Sequence, residues 1–222
     1  MLLGCRGLAL PTENDRSVYN LDAAYALACQ QLARVDIEQQ CHRSGAQYQV
    51  KESRETITAS YLNQQYLITL PDIEISLPGS DEKVPIRDKI LILHYLILAK
   101  GTPATNELIP FRDLSGGNIY YPTFTKRTAK PLTDHFSKEP DLLLKAGEKL
   151  GGRKADFGDV AVTIDAFSHV PITLVLWQGD DEFPAQLNLL FDSSISDYLD
   201  TEDITVLCET LTWKLISYLR EA

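Results

Sequence analysis

The residues most able to do chemistry in this 222-residue chain fall in two stretches. The first is SGGNIYYPTFTKR, Ser115 to Arg127, with Arg112 just before it and Lys130 just after. Ser115, Gly116 and Gly117 can turn backbone N–H groups outward as an anion cradle, and a helix starting near Pro122 would add its positive end. Arg112, Lys126, Arg127 and Lys130 make the main local excess of positive charge, and Tyr120, Tyr121 and Phe124 offer faces for stacking. A small phosphate- or carboxylate-bearing ligand suits that composition, with Arg112, Ser115, Gly116, Gly117, Tyr120, Tyr121 and Lys126 as its contacts. The spacing matches neither G-x-x-x-x-G-K-[ST] nor G-x-G-x-x-G, so it does not specify a nucleotide. The competing reading is a glycine turn with its tyrosines packed in the core and its basic residues balancing nearby acids.

The second stretch is acidic. Asp180, Asp181 and Glu182 lie in the connection GDDEFPA, and Asp159 opens an earlier strand. If the strands between them form an antiparallel meander, all four carboxylates gather at one end of the sheet. Mg²⁺ or Ca²⁺ needs such oxygen ligands, and crowded carboxylates raise one another's pKa. The same set could dock a basic partner or be a solvated loop anchored by Phe183 and Pro184. That meander sends Asp192, Ser193 and Ser194 to the opposite end, roughly 20 Å away at about 3.3 Å per residue, near Ser168 and His169. Ser, His and Asp meet there on paper, but no G-x-S-x-G elbow accompanies them, and they read as a turn into the last helix.

The cysteines, Cys5, Cys29, Cys41 and Cys208, contain no C-x-x-C pair. Were Cys29 and Cys41 on one helix, twelve residues would set them about 120° apart around its axis, too far to share a metal. They read as buried or incidental thiols.

Several elements must position these groups. Val18, Leu21, Tyr25, Ala28, Leu32 and Val35 repeat at helical spacing, and Gly45 supplies a stop. ETITASYL, QYLITL and IEISL predict a small antiparallel meander between Tyr48 and Leu77. Pro85 to Lys100 predicts a mostly buried helix closed by Gly101, with His94 as a hydrogen-bonded core histidine in its centre. A short strand over Leu108 to Phe111 precedes two short helices, Pro122 to Phe136 and Pro140 to Leu150. Val160 to Phe167, Ile172 to Gln178 and Gln186 to Phe191 alternate as strands, and Thr201 to Arg220 is an amphipathic helix capped by acid at its start.

These elements form an α+β fold, antiparallel sheets packed against several helices, in a single domain over residues 18–222 after a loose N-terminus, residues 1–17. The formal charge is −10, which leaves no extensive basic face for nucleic acid or anionic lipid. ILILHYLILA, Ile90 to Ala99, is about half the roughly 20 residues a membrane span needs. Leu2, Leu3 and Gly4 before Cys5 imitate a lipoprotein cleavage site, but only four residues precede the cysteine, so the expected location is cytoplasmic.

LILHYL (Leu91 to Leu96), FRDLSGGNIYYPTF (Phe111 to Phe124), LWQGDDEFPA (Leu176 to Ala185) and LLFDSSISDYLDTED (Leu189 to Asp203) occur in that order. Together they resemble the signature stretches of the bacterial and archaeal family called domain of unknown function 3786. Some members that resemble this chain carry an added cysteine-rich iron–sulfur module and belong to anaerobes with corrinoid or one-carbon metabolism. The resemblance implies a place beside such a system, and it supplies no catalytic residues. This chain lacks clustered cysteines, so no iron–sulfur cluster of its own is expected.

The first expectation is therefore a non-enzymatic, small-ligand or cofactor-binding accessory protein with an iron–sulfur or corrinoid protein as partner. Its ligand would be small and anionic, a corrinoid-type molecule among the choices. The alternative is a metal-dependent enzyme in which Asp159, Asp180, Asp181 and Glu182 hold a divalent cation that polarises a substrate oxygen or activates water.

Overall fold

Helix α1 (Leu21–Leu32) starts where the Asn20 side chain accepts the Ala23 amide at 3.1 Å. The structure, a computed structural model, describes residues 20–52 and 54–219. The continuous helix expected from Val18 to Gly45 is instead two, because Asp36 takes the Gln39 amide at 3.0 Å and caps a new helix, α2 (Ile37–Ser44). Val18 lies outside the described residues, as do Cys5 and the rest of the N-terminal stretch read as loose. Cys29 and Cys41 therefore occupy different helices, so the angle expected between them on one axis does not apply. Gly45 ends α2 in the left-handed region at φ +70°, a conformation that costs glycine little.

Four strands follow as an antiparallel meander, β1 (Gln47–Lys51), β2 (Arg54–Tyr61), β3 (Gln64–Leu70) and β4 (Glu74–Ser76), in the order β1-β2-β3-β4. Helix α3 (Ile86–Leu98) comes next. The Gln40 amide of α2 donates to the carbonyls of Leu96 and Ile97 at 2.9 and 2.6 Å, satisfying helix-end groups that would otherwise be orphaned.

After β5 (Leu108–Pro110), helix α4 (Gly117–Arg127) starts five residues before the expected Pro122 and contains that proline. The expected helix to Phe136 breaks at Thr128, whose φ and ψ of −124° and −80° are not helical, and resumes as α5 (Ala129–Phe136). Helix α6 (Asp141–Lys149) leads to the second sheet, β6 (Arg153–Ala155), β7 (Val160–Phe167), β8 (Val170–Trp177) and β9 (Gln186–Asp192). Its order is β5-β9-β8-β7-β6, all antiparallel, so the expected three-strand meander forms its centre and β5 and β6 its edges. Helix α7 (Thr201–Tyr218) closes the fold, its first amides capped by Asp200.

The two sheets share one core. Phe167 of β7 stacks on Tyr95 of α3 at 4.1 Å and on Tyr61 of β2 at 4.9 Å between ring centroids. Ile204, Leu207, Cys208, Leu211 and Leu215 of α7 are fully buried, as the helical spacing predicts. Among the described residues no helix is long and apolar enough to cross a membrane.

Asp192, buried at the end of β9, organises the loop that joins α3 to β5. Its Oδ1 accepts the amide and hydroxyl of Thr105 and of Ser194 at 2.7 to 3.1 Å, and its Oδ2 accepts the Asn106 amide at 2.8 Å. Burial alone would raise this carboxyl, but the hydrogen bonds from Ser194 and Thr105 outweigh it and hold it well below the usual carboxylate range. A depressed pKa contributes stability above the unfolded value of about 4 that is lost as pH falls through the folded one. Asp192→Ala should therefore lose about 3 kcal/mol in urea unfolding at neutral pH. Asp192→Asn should lose less, with its gap to the wild type narrowing as pH drops below about 4.

Candidate functional site

Helix α3 is apolar on most sides, so each polar side chain on it must find a partner within the fold. Asp88, buried, accepts the Tyr61 hydroxyl at 3.1 Å, and the Lys214 charge acts on it from α7. The Lys89 ammonium sits 5.6 Å from the Tyr25 ring centroid. Tyr95 donates to the Ser44 carbonyl at 2.6 Å and accepts the His169 amide at 3.3 Å. His94 Nδ1 lies 2.8 and 3.0 Å from the two oxygens of Asp203 on α7. Arg87 has no hydrogen-bond or ion-pair partner among the described residues.

Arg87, Ile90, Leu91 and His94 follow i, i+3, i+4, i+7 spacing and share one face of α3. They form one wall of a cavity of about 710 Å³. Tyr120, Thr123, Phe124 and Arg127 repeat that spacing on α4 and form a second wall, with Ser115 beside them. The start of α7, with Asp200, Asp203, Val206 and Glu209, forms the third, and Asn20, Leu21 and Ala24 of α1 the fourth. Two contacts lock α4 against α7. Arg127 Nη1 lies 3.0 Å from Glu209 Oε1, and the Thr201 hydroxyl donates to the Ser115 carbonyl at 2.8 Å. A volume of this size lies within the range of small-molecule pockets.

The Asp203 side chain is 8% exposed and that of His94 28%. The hydrogen bond to Asp203 is the main cause that raises the His94 pKa above its ordinary value, against an opposing effect of burial. Asp203 is itself raised by burial, which the bond to His94 only partly offsets. With the imidazole Nδ1 between both carboxylate oxygens, the pair shares one proton that stays bound to higher pH than on a free histidine.

Of the residues the sequence singled out for an anionic ligand, Ser115 and Tyr120 stand on the cavity wall. Arg112, Gly116, Gly117, Tyr121 and Lys126 do not. The Arg112 guanidinium carbon instead stacks 3.8 Å from the Tyr121 ring centroid. Gly117 is buried so tightly that a Cβ would meet the Phe111 carbonyl oxygen, and its amide donates to Leu114 at 2.8 Å. The Ile119 amide donates to Gly116 at 3.1 Å. Of the three amides expected to form an anion cradle, that of Gly117 is thus taken up in the helix start. The early start of α4 at Gly117 is what turns Tyr120 and Arg127 toward α7.

Asp159, Asp180, Asp181 and Glu182 do share one end of the second sheet, and all are exposed. Their carboxylates do not converge. Asp159 Oδ2 accepts the Gln178 amide at 2.7 Å, and Asp180 Oδ1 accepts the amides of Glu182 and Phe183 at 2.8 and 2.7 Å. The bonds from Phe183 and Glu182 keep Asp180 ionised below its ordinary range. Among the described residues no three His, Cys, Asp or Glu side chains are placed to hold a metal ion. Cys29, Cys41 and Cys208, on three different helices, are free thiols. Exposed Phe157, Trp177 and Phe183 accompany the acids at this end of the sheet. At the other end Asp192 is committed to Thr105, Asn106 and Ser194, while His169 stacks on Tyr198 at 5.4 Å, so the Ser, His and Asp that met on paper form no relay.

Arg87, Asp203, Arg127 and Glu209 were not singled out as ligand contacts from the sequence. The available signal was the pair Arg87 and His94, two turns apart in an otherwise apolar helix. Asp203, Asp200 and Glu202 bear on the His94 charge, and Glu209, Arg87, Arg127 and Tyr120 are the other titratable groups that line the cavity. A raised histidine pKa contributes stability that is complete below about 6.5 and fades as pH rises through the folded value. Nuclear magnetic resonance titration should find His94 above the ordinary histidine range in the wild type and at or below it in Asp203→Asn. An unchanged His94 titration in that variant would contradict the pairing.

No curated protein and no solved structure is similar enough to this chain to count as a match. The family model for domain of unknown function 3786 matches residues 36–213, which takes in three of the cavity's four walls and leaves out α1. The match spans most of the 222 residues, and the chain belongs to the family named domain of unknown function 3786.

Proposed function

We propose that the protein binds a small ligand in the cavity between α1, α3, α4 and α7, in an accessory role in the cytoplasm. The observation that carries this reading is the cavity itself. Four elements from distant parts of the chain leave about 710 Å³ open between them. Leu21, Ala24, Ile90, Leu91, Phe124 and Val206 give it apolar surface, and Arg87, His94, Ser115 and Thr123 give it polar points. That combination favours an apolar-bodied molecule with one or two polar groups. The volume is too small to enclose a whole corrinoid, so the ligand is a smaller molecule.

The accessory role, beside an iron–sulfur or corrinoid protein, follows the family resemblance. The acidic, aromatic end of the second sheet, with Phe157, Trp177 and Phe183 exposed, suits a basic partner surface. None of these residues lines the cavity.

The neutral fluorescent probe phenylnaphthylamine tests the cavity. It should bind the wild type with a fluorescence increase. Ala24→Phe and Val206→Phe place bulk on two facing walls and should each weaken that binding by about tenfold or more while the circular dichroism spectrum is kept. Equal binding to the wild type and to both filled variants would place the probe elsewhere and remove the support for this reading.

A further inference from the structure

Two of the three basic side chains that line the cavity are paired. Arg127 is bonded to Glu209 at 3.0 Å and His94 to Asp203 at 2.8 Å. Asp200 caps α7 through the Asp203 amide at 2.8 Å, and both Asp200 and Glu202 are exposed to water. Arg87 is what remains. It is half-buried, it lines the cavity, and among the described residues nothing is bonded to it. A guanidinium drawn partly out of water without an anion is unfavourable. Its planar fork of donors fits the paired oxygens of a carboxylate, phosphate or sulfonate.

His94 lies on the same wall, seven residues on, which is about 10 Å along the helix axis. Its Nδ1 is committed to Asp203, so the tautomer is fixed and Nε2 is left without a partner among the described residues. In its protonated form, which the bond to Asp203 favours, the ring presents a second N–H donor to the cavity. Between the two side chains on that wall lie Ile90 and Leu91, with Phe124 and Val206 contributed by the other helices.

We propose that Arg87 forms an anion subsite within this cavity, with His94 as a second polar point further along the same wall. It would take the oxyanion end of a small organic acid, a carboxylate, phosphate or sulfonate, whose apolar body lies against Ile90, Leu91, Phe124 and Val206. This rests on the ligand-binding reading and adds to it the chemical class of the ligand and the residues that recognise its charge. The anionic ligand expected from composition is thereby moved from the glycine turn to the wall of α3, where Asp203 and Glu209 are paired and Asp200 and Glu202 face water.

Two probes that share an aromatic body separate the subsite from the cavity: anilinonaphthalene sulfonate, which carries an anion, and neutral phenylnaphthylamine. Arg87→Met should weaken sulfonate binding by about tenfold and His94→Gln by about threefold, with phenylnaphthylamine binding changed less than about twofold in both. Arg87→Lys, which keeps the charge, should retain sulfonate binding to within a few fold, and this guards against a loss caused by misfolding. If Arg87→Met binds the sulfonate as the wild type does while phenylnaphthylamine still occupies the cavity, the anion subsite is wrong and the cavity reading survives. If neither probe binds the wild type, the cavity reading fails and the subsite with it.

Discussion

Helix α3 poses the problem that the rest of the molecule solves. ILILHYLIL buries most of its side chains, and α1, α2, α7 and the Phe167 end of β7 all pack around it. Burial on that scale is favourable for the aliphatic residues, at roughly 1.5 to 3 kcal/mol for each large side chain. It is unfavourable for every polar group carried along. The fold answers each in turn: Tyr61 meets Asp88, the Tyr25 ring meets Lys89, Asp203 meets His94, and the Ser44 carbonyl meets Tyr95. Arg87 is the one left open, and it opens onto the cavity.

Those partners also decide where the other elements go. The His94–Asp203 bond fixes the first turn of α7 against the middle of α3, while Asp200 caps that turn and Thr201 ties it to Ser115. Arg127 and Glu209 then join α4 to α7 one wall further round. The cavity is what stays open when four helices are held apart by specific polar contacts near its edges. A hydrogen bond to a charged group contributes on the order of 1.5 to 3 kcal/mol where it is largely buried, as between His94 and Asp203, and less where water screens it, as at Arg127. Asp192 does comparable work at the other side of the fold, where five accepted hydrogen bonds give a loop with little apolar content a single conformation.

The periodic elements were legible in the sequence because their spacing follows directly from burial. The strands β7, β8 and β9, the face of α7 and the buried α3 all have the residues that alternation or helical spacing picks out. Boundaries set by a single side chain were less so. Asp36 splits one periodic stretch into two helices, and Gly116 starts α4 ahead of a proline that looks like a first residue. That second shift matters for the site, since it decides which side chains of Ser115 to Arg127 face α7. Gathering Asp159 with Asp180 at one sheet end was also legible. What each carboxylate bonds to was not, because the nearest amides of a tight loop compete for it first. The cavity needed the tertiary structure, since its walls come from residues 20–24, 87–94, 115–127 and 200–209.

A crystal structure of the protein with anilinonaphthalene sulfonate bound bears most directly on the central claim, that α3 presents Arg87 and His94 to a ligand between α1, α4 and α7. The account predicts the naphthalene ring against Leu91 and Phe124 and the sulfonate within hydrogen-bond distance of the Arg87 guanidinium, with His94 still bonded to Asp203. A sulfonate seated instead on Gly116 and Gly117, or a dye outside the four helices with Arg87 in water, would contradict it.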